Sequence, residues 1–279
     1  MNSDGTGEKA SQTFAMKLIG VDVTIGGAHV LASISLIVPA KGVTGIIGQN
    51  GSGKSTLLKV LARQEKATGG HIVFEDQPLD AWNERAFARR VAYLPQEPPS
   101  APGLTVRELV SFGRYPWHGA LGRFSSSDAA KVEQAMTLTG TQSFRDRFVG
   151  TLSGGERQRC WLAMLLAQDA GLLLLDEPIS ALDVAHQVSV LGLVRRISME
   201  RPIAVVLVIH DINLAARYCD HLVALKRGRL IAEGPPGAFM TSAQLEAIYD
   251  VPMGVLPHPD TNEPFSFVRQ HPDWESSDA

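Results

Sequence analysis

Residues 48–56 read GQNGSGKST, and this stretch decides the fold. It satisfies G-x-x-x-x-G-K-[ST] in full, with the short apolar run VTGIIG (43–48) before it and a helical pattern after it. Gly48, Gly51 and Gly53 let the backbone wrap tightly, so the N–H groups contributed through Gln49, Asn50 and Ser52 converge on an anion. A helix starting near Lys54 adds its positive dipole end, with Thr56 in its first turn. In this pattern Lys54 reaches the β- and γ-phosphates of ATP, and the Ser55 hydroxyl ligates Mg²⁺. The competing reading is a glycine-rich turn with a surface lysine, which does not explain a complete motif placed between strand and helix.

A second stretch supplies acids. LLLLDEP (172–178) reads as a buried apolar strand that delivers Asp176 to its carboxyl end, where a carboxylate can hold Mg²⁺. Glu177 follows, suited to polarising an attacking water. Two adjacent acids at such a place are costly unless a cation or a proton-accepting role occupies them. These two stretches fit a nucleotide hydrolase or a kinase equally well.

LSGGERQR (152–159) opens a further helix: Ser153 is a candidate N-cap, and Glu156 stands three residues on, in capping-box spacing. Gly154 and Gly155 leave backbone amides uncovered, a second anion-binding helix start in one chain. Together with YLPQ ending in Gln96, SALD (180–183) and VIHD ending in His210–Asp211, these motifs stand in the order of the ATP-binding cassette family, which the chain resembles. The resemblance implies that two cassettes pair head to tail. Ser153 and Gly155 would then bind the γ-phosphate held by the other copy, with Gly154 and Glu156 shaping the turn. It also implies that Glu177 is the general base, that Gln96 senses Mg²⁺ and the water, and that His210 clamps the γ-phosphate. Asp183 would let the two sites communicate. By alignment around TIGGAHVL, Ile25 stands where the family often stacks an aromatic on adenine, and Ile179 replaces the usual threonine of DEPTS.

Around these motifs, β-branched runs alternate with helical patterns, the signature of an α/β chain with a largely parallel sheet. Strands are expected at KLIGVDVTI (17–25), SISLIV (33–38), HIVFEDQPL (71–79), VAYLPQ (91–96) and IAVVLVIHD (203–211). Helices are expected at ERAFARR (84–90), VAHQVSVLGLVRRIS (184–198) and INLAARYC (212–219). The fold expected is a P-loop NTPase of the ABC type with an antiparallel β subdomain and a helical insert. The insert covers about 97–159, with amphipathic helices at TVRELVSFGRY and DAAKVEQAMTL. Residues 1–16 read as a flexible N-terminal tail, 17–258 as the ATPase domain and 259–279 as a C-terminal tail, with a helix near SAQLEAIYD before the proline-rich VPMGVLPHPDTNEPF.

With 279 residues the chain holds ample apolar material for one large domain, and its formal net charge of −3 provides no global basic field for nucleic acid. The two cysteines, Cys160 and Cys219, read as reduced thiols. The apolar runs are shorter than a bilayer span requires.

GRYPWHGALGRF (113–124) lies inside the insert, where Tyr115, Trp117 and Phe124 either pack the insert's small core or form a partly exposed docking surface. Taken with GLTVRELVSFGRYPWHGALGRF, ALDVAHQVSVLGLV and YDVPMGVLPHP, it is similar to the ATPase subunit of bacterial ferric hydroxamate siderophore importers of the ferrichrome type. That kinship implies a homodimer at the cytoplasmic face of the inner membrane, contact with an integral membrane permease, and indirect partnership with a periplasmic siderophore-binding protein. Its alternatives are a sister importer for haem, vitamin B12 or a catecholate siderophore, and a non-transport ATPase of DNA repair or translation.

Overall fold

The computed structural model describes residues 14–119 and 122–269. The start of the expected N-terminal tail, positions 120–121 of GRYPWHGALGRF, and 270–279 of the expected C-terminal tail lie outside the described residues. Four strands form an antiparallel sheet: β1 (Phe14–Ile25), β2 (Ala28–Pro39), β4 (Gly69–Phe74) and β5 (Gln77–Pro78), in the order β2-β1-β4-β5. Six more form the central sheet: β3 (Gly42–Ile47), β6 (Val91–Leu94), β7 (Leu172–Leu175), β8 (Ala204–Val208), β9 (His221–Lys226) and β10 (Arg229–Gly234). Their order is β10-β9-β3-β8-β7-β6, parallel from β9 to β6, with β10 antiparallel at the edge.

The helices are α1 (Lys54–Leu61), α2 (Glu84–Ala88), α3 (Val106–Phe112), α4 (Tyr115–His118), α5 (Ser126–Thr139), α6 (Gly154–Ala167), α7 (Val184–Glu200), α8 (Ile212–Tyr218), α9 (Pro236–Phe239) and α10 (Ser242–Tyr249). None of the described helices is long and apolar enough to cross a membrane.

The apolar runs of β7 and β8 are explained by burial on both faces. Leu173, Leu175, Val205 and Leu207 join the core under α6, α7 and the helical region, which includes Val190, Val194 and Trp161. Their alternating neighbours Leu172, Leu174, Val206 and Val208 pack toward α1 and the antiparallel sheet, with Leu57, Leu61 and Leu18. Period-two alternation thus feeds two cores from one strand. Both cysteines are free and buried, and burial pushes each thiol up to about 12.

Several expectations need correction. HIVFEDQPL is a hairpin, because Glu75 and Asp76 both take positive φ (45° and 63°) and turn the chain between β4 and β5. TVRELVSFGRY breaks at Gly113, where a side chain would run into the Met164 carbonyl of α6. The strands β9 and β10 went unread in the sequence. The insert ends inside a helix, since α6 continues from the signature past 159 to Ala167. The first strand among the described residues starts at Phe14, within the expected tail. Past 258 the chain continues into a hairpin of β11 (Met253–Pro257) and β12 (Pro264–Val268), in which Leu256 faces Phe265. Asn213 of α8 ties this hairpin down, donating to the Ser266 carbonyl and accepting from its N–H and hydroxyl. A domain boundary at 258 therefore cuts a paired unit.

GRYPWHGALGRF divides into two kinds of side chain. Arg114 is buried, pairs with Asp128 at 2.9 Å and donates to the Ala167 carbonyl. Trp117 lies between the Arg89 and Arg114 guanidiniums, 5.0 and 4.9 Å from its ring centre, and its indole N–H donates to the Gln168 carbonyl. Gln168 in turn donates to Ala88 and Val91, so this cluster fastens the far end of the signature helix to the central sheet. Tyr115 and Phe124 remain exposed beside Phe112.

Candidate functional site

β3 delivers the chain to the phosphate loop and α1 carries it away. Gly48, Gly51 and Gly53 all take positive φ (139°, 75° and 99°). Gly48 admits no side chain because a Cβ would strike the Leu225 carbonyl, and at Gly53 it would meet Leu31 and the Val30 carbonyl. α1 starts with no side chain capping it and no acid in its first turn, so its N–H groups face the loop unopposed. Lys54 is buried and folds back, donating to the carbonyls of Gly48 (3.0 Å) and Gln49 (2.9 Å). Burial lowers its pKa, against the pull of Glu177 and Asp176, and an anion brought beside it would favour the charged form. The Ser52 hydroxyl is buried in the loop with no protein partner, and Asn50 and Gly51 are exposed.

The acids stand opposite. Asp176 follows β7, is 2% exposed, and accepts from the Ser55 hydroxyl at 2.9 Å. Desolvation raises its pKa even against that bond. Burial, followed by the Asp176 charge, pushes the Tyr93 hydroxyl up to about 12. Glu177 sits at φ 48°, the left-handed region that a side chain seldom occupies. Its carboxylate is held from both sides: Gln96 donates to Oε2 at 2.8 Å, and His210 Nε2 lies 2.7 Å from Oε1. These bonds offset the backbone strain and fix the direction of the acid. Gln96, Glu177 and His210 line one open cleft of about 400 Å³ with Asn50, Gly51, Gly53, Lys54, Ser55 and Thr56. The sequence-expected catalytic and phosphate residues therefore meet in one place.

The hydroxyl of Ser55 and the buried carboxylate of Asp176, with the Gln96 carbonyl nearby in the cleft, form a set of hard oxygen donors of the kind Mg²⁺ prefers. A buried acid that accepts from the neutral hydroxyl of Ser55 fits a cation-holding role.

The signature is a separate surface. Ser153 caps α6: its hydroxyl accepts from the Glu156 N–H, and the Glu156 carboxylate accepts from the Ser153 N–H at 2.8 Å. That backbone N–H is the main cause holding the Glu156 carboxyl below its usual range. Gly154 is exposed and Gly155 buried. Neither Ser153 nor Asp183 lines the phosphate cleft of its own chain. Asp183 caps α7 and is exposed, next to Val184 at 75% exposure.

Ile25 ends β1 at the Gly26–Gly27 turn, 43% exposed, and is not among the residues around the phosphate cleft; Val30 of β2 is. Val30 of β2, on the other side of that turn, is thus the aliphatic side chain beside the phosphate cleft. Sequence reading also missed the partner of Gln49, whose side-chain amide donates to the Tyr249 carbonyl and approaches Asp250 Oδ2 at 3.4 Å. Lys226 holds the same Asp250 and the Ala247 carbonyl. No local signal could have found this contact, because the two residues are 200 positions apart.

Comparisons with known proteins agree with this geometry. The family model described as ABC transporter matches residues 31–180, more than half of the chain. The achromobactin transport ATP-binding protein of Dickeya dadantii is 39% identical, over 90% of this chain and 95% of its own. The iron(3+)-hydroxamate import ATP-binding protein of Bacillus subtilis is 38% identical over 86% and 89%. The hemin import ATP-binding protein of Streptomyces coelicolor is 43% identical over 87% and 85%. Among solved structures, a chain of a metal-chelate-type ABC transporter in an inward-facing conformation superposes with a TM-score of 0.80, at 24% identity over 92% of this chain and 96% of that one. A glycine-wrapped phosphate loop, a paired acid and a self-capped signature helix around one sheet, with relatives of this identity across nearly the whole length, settle the kinship: the chain belongs to the ABC transporter family, as an ATP-binding, ATP-hydrolysing subunit.

Proposed function

We propose that this subunit drives import of a ferric hydroxamate siderophore, working as a homodimer against a membrane permease at the cytoplasmic face of the inner membrane and receiving cargo indirectly from a periplasmic binding protein. The observation that carries the mechanism is the Glu177 carboxylate held between Gln96 and His210 in the cleft of the phosphate loop. The loop and Lys54 bind the β- and γ-phosphates of ATP. Glu177 takes the proton of the attacking water while Gln96 orients that water. His210 exchanges its bond to Glu177 for one to the γ-phosphate as the site loads. Ser55, Asp176 and Gln96 would hold Mg²⁺, which would supply charge stabilisation to the triphosphate. Ser153 and Gly155, shaped by Gly154 and Glu156, complete the site of the other copy, and Asp183 links the two sites. Hydrolysis needs charge stabilisation on both sides of the γ-phosphate, and one chain provides each side.

Cargo is inferred from kinship with relatives named for achromobactin, iron(3+)-hydroxamate and petrobactin transport. A haem importer is the second reading, favoured by the 43% relative. The permease would engage the open apolar cleft of about 490 Å³ lined by Leu104, Phe112, Tyr115, His118 and Phe124, rather than Arg114 and Trp117, which are used internally.

Two measurements test the proposal. Glu177→Gln should cut turnover roughly 10²–10⁴-fold, the range for loss of a general base, and should trap an ATP-bound dimer on size-exclusion chromatography. Normal turnover removes Glu177 from its role. In a deletion strain, radio-iron uptake from a hydroxamate siderophore should fail and be restored by this gene. Restoration of haem uptake alone would transfer the cargo to the second reading.

A further inference from the structure

The signature turn and the exposed turn after the catalytic strand lie far apart in sequence, yet one imidazole joins them. Asp183 Oδ1 accepts the backbone N–H of His186 at 2.9 Å and lies 2.8 Å from its Nδ1. The Asp183 carboxyl is held below its ordinary range first by that backbone N–H and then by the ring, so it is an acceptor and the Nδ1 proton points to it. The other edge of the same ring covers Gly155. A Cβ built there would fall onto Cδ2 and lie 2.7 Å from Nε2. At Gly154, by contrast, the nearest atom to an added Cβ is Leu182 Cδ2 at 3.5 Å, an ordinary contact. Gly155 does not have a positive φ, so backbone freedom does not explain the glycine. The ring does, since no side chain at 155 can coexist with His186 in this place.

We propose that His186 is a positioning residue, a strut that locks Asp183 to the Gly155 turn so that both are presented to the second copy as one surface. The proposal rests on the paired-site reading above. His186 touches no reacting atom in that reading; it acts through the two groups that it joins. Without the ring, Asp183 keeps the backbone N–H groups of His186 and Ala185 but loses its side-chain partner, and the turn at Gly155 loses the wall behind it. The surface offered to the other copy's triphosphate then has to be ordered on binding, at an entropic cost.

Two measurements separate this from a merely structural role and from failure of the paired-site reading. The first compares ATP-driven dimerisation of Glu177→Gln with that of the same chain carrying His186→Ala, by sedimentation over a range of concentrations. The dimer should weaken about tenfold, the order expected when one charge-assisted hydrogen bond is lost, while ATP affinity of the monomer stays unchanged. Dimerisation within twofold of the parent overturns the strut. A parent that never dimerises sinks the paired-site reading instead. The second needs no dimer: the thermal stability of Gly155→Ala, His186→Ala and the double variant. Gly155→Ala should be strongly destabilised in the native background and recover when His186→Ala removes the ring, a coupling that distant sites do not show. Additive losses would overturn the proposal.

Discussion

α1 and α6 both begin on glycine turns, and the two helix starts differ in what they already hold. At α1 the cap is Gly53, with no side-chain acceptor and no first-turn acid, so the unpaired N–H groups and the dipole meet only Lys54. At α6, Ser153 and Glu156 satisfy two of those donors between them, and a carboxylate sits in the first turn. The first is a complete anion receptor within one chain. The second carries part of its own counter-charge, stable without ligand and a weaker receptor by itself. On the proposed head-to-tail pairing, the difference implies an order of events: nucleotide would load on α1 of one copy, and the γ-phosphate so presented would recruit α6 of another.

The largest expected effect falls on α1. Lys54→Ala removes a cation folded into the loop, whose buried Nζ has two carbonyls to leave and, on the proposed reading, a triphosphate to gain. ATP affinity measured by calorimetry should drop by at least a hundredfold, roughly the loss of two hydrogen bonds to charged groups. A drop under threefold would mean that the backbone cradle suffices, and the contrast between the two helix starts would rest on geometry alone.

Ser153→Ala tests the other side. It should leave ATP affinity of the monomer unchanged and weaken the ATP-bound dimer roughly tenfold, the loss of one hydroxyl hydrogen bond to phosphate. Loss of the cap should separately cost about 1 kcal/mol of stability, read as a fall of a few degrees in Tm. If monomer affinity falls as steeply as for Lys54→Ala, the signature serves its own chain and the order of events is wrong.

The same two helices show what a sequence displays. GQNGSGKST, LLLLDEP and LSGGERQR each fold within a few residues, so the positive φ of Gly48, the placement of Asp176 and the capping box at Ser153 were all legible. Contacts across the chain were not. The ring of His186 on Gly155, Gln49 on Tyr249 and Trp117 between two arginines depend on how distant elements are brought together, and local pattern carries no trace of that. The nearness of Val30 to the phosphate cleft was hidden for a related reason. The Gly26–Gly27 turn carries the chain back from Ile25 and presents Val30 to the cleft, a reversal that the alignment around TIGGAHVL does not display. The hairpin past 258 was masked by its prolines, which sit at the strand ends, Pro257 opposite Pro264.

Gln49 gives the smallest effect and refines the contrast most. α1 has no side-chain cap, so the shape of its receptor must be held from elsewhere, and the amide of Gln49 bonded to the end of α10 does this on the far side of the loop. Asp250 is in turn held by Lys226, and that bond is the main cause keeping its carboxyl below the usual range. Gln49→Ala keeps every backbone N–H of the loop and removes only this tether. ATP affinity should fall roughly twofold to fivefold, the worth of one neutral hydrogen bond, with turnover at saturating ATP unchanged. Asp250→Ala should reproduce part of that loss through Lys226, and the double variant should be no worse than Gln49→Ala because both cut one chain of contacts. Full additivity would mean that the C-terminal region touches the phosphate loop without shaping it, and that the open start of α1 is rigid by its glycine geometry alone.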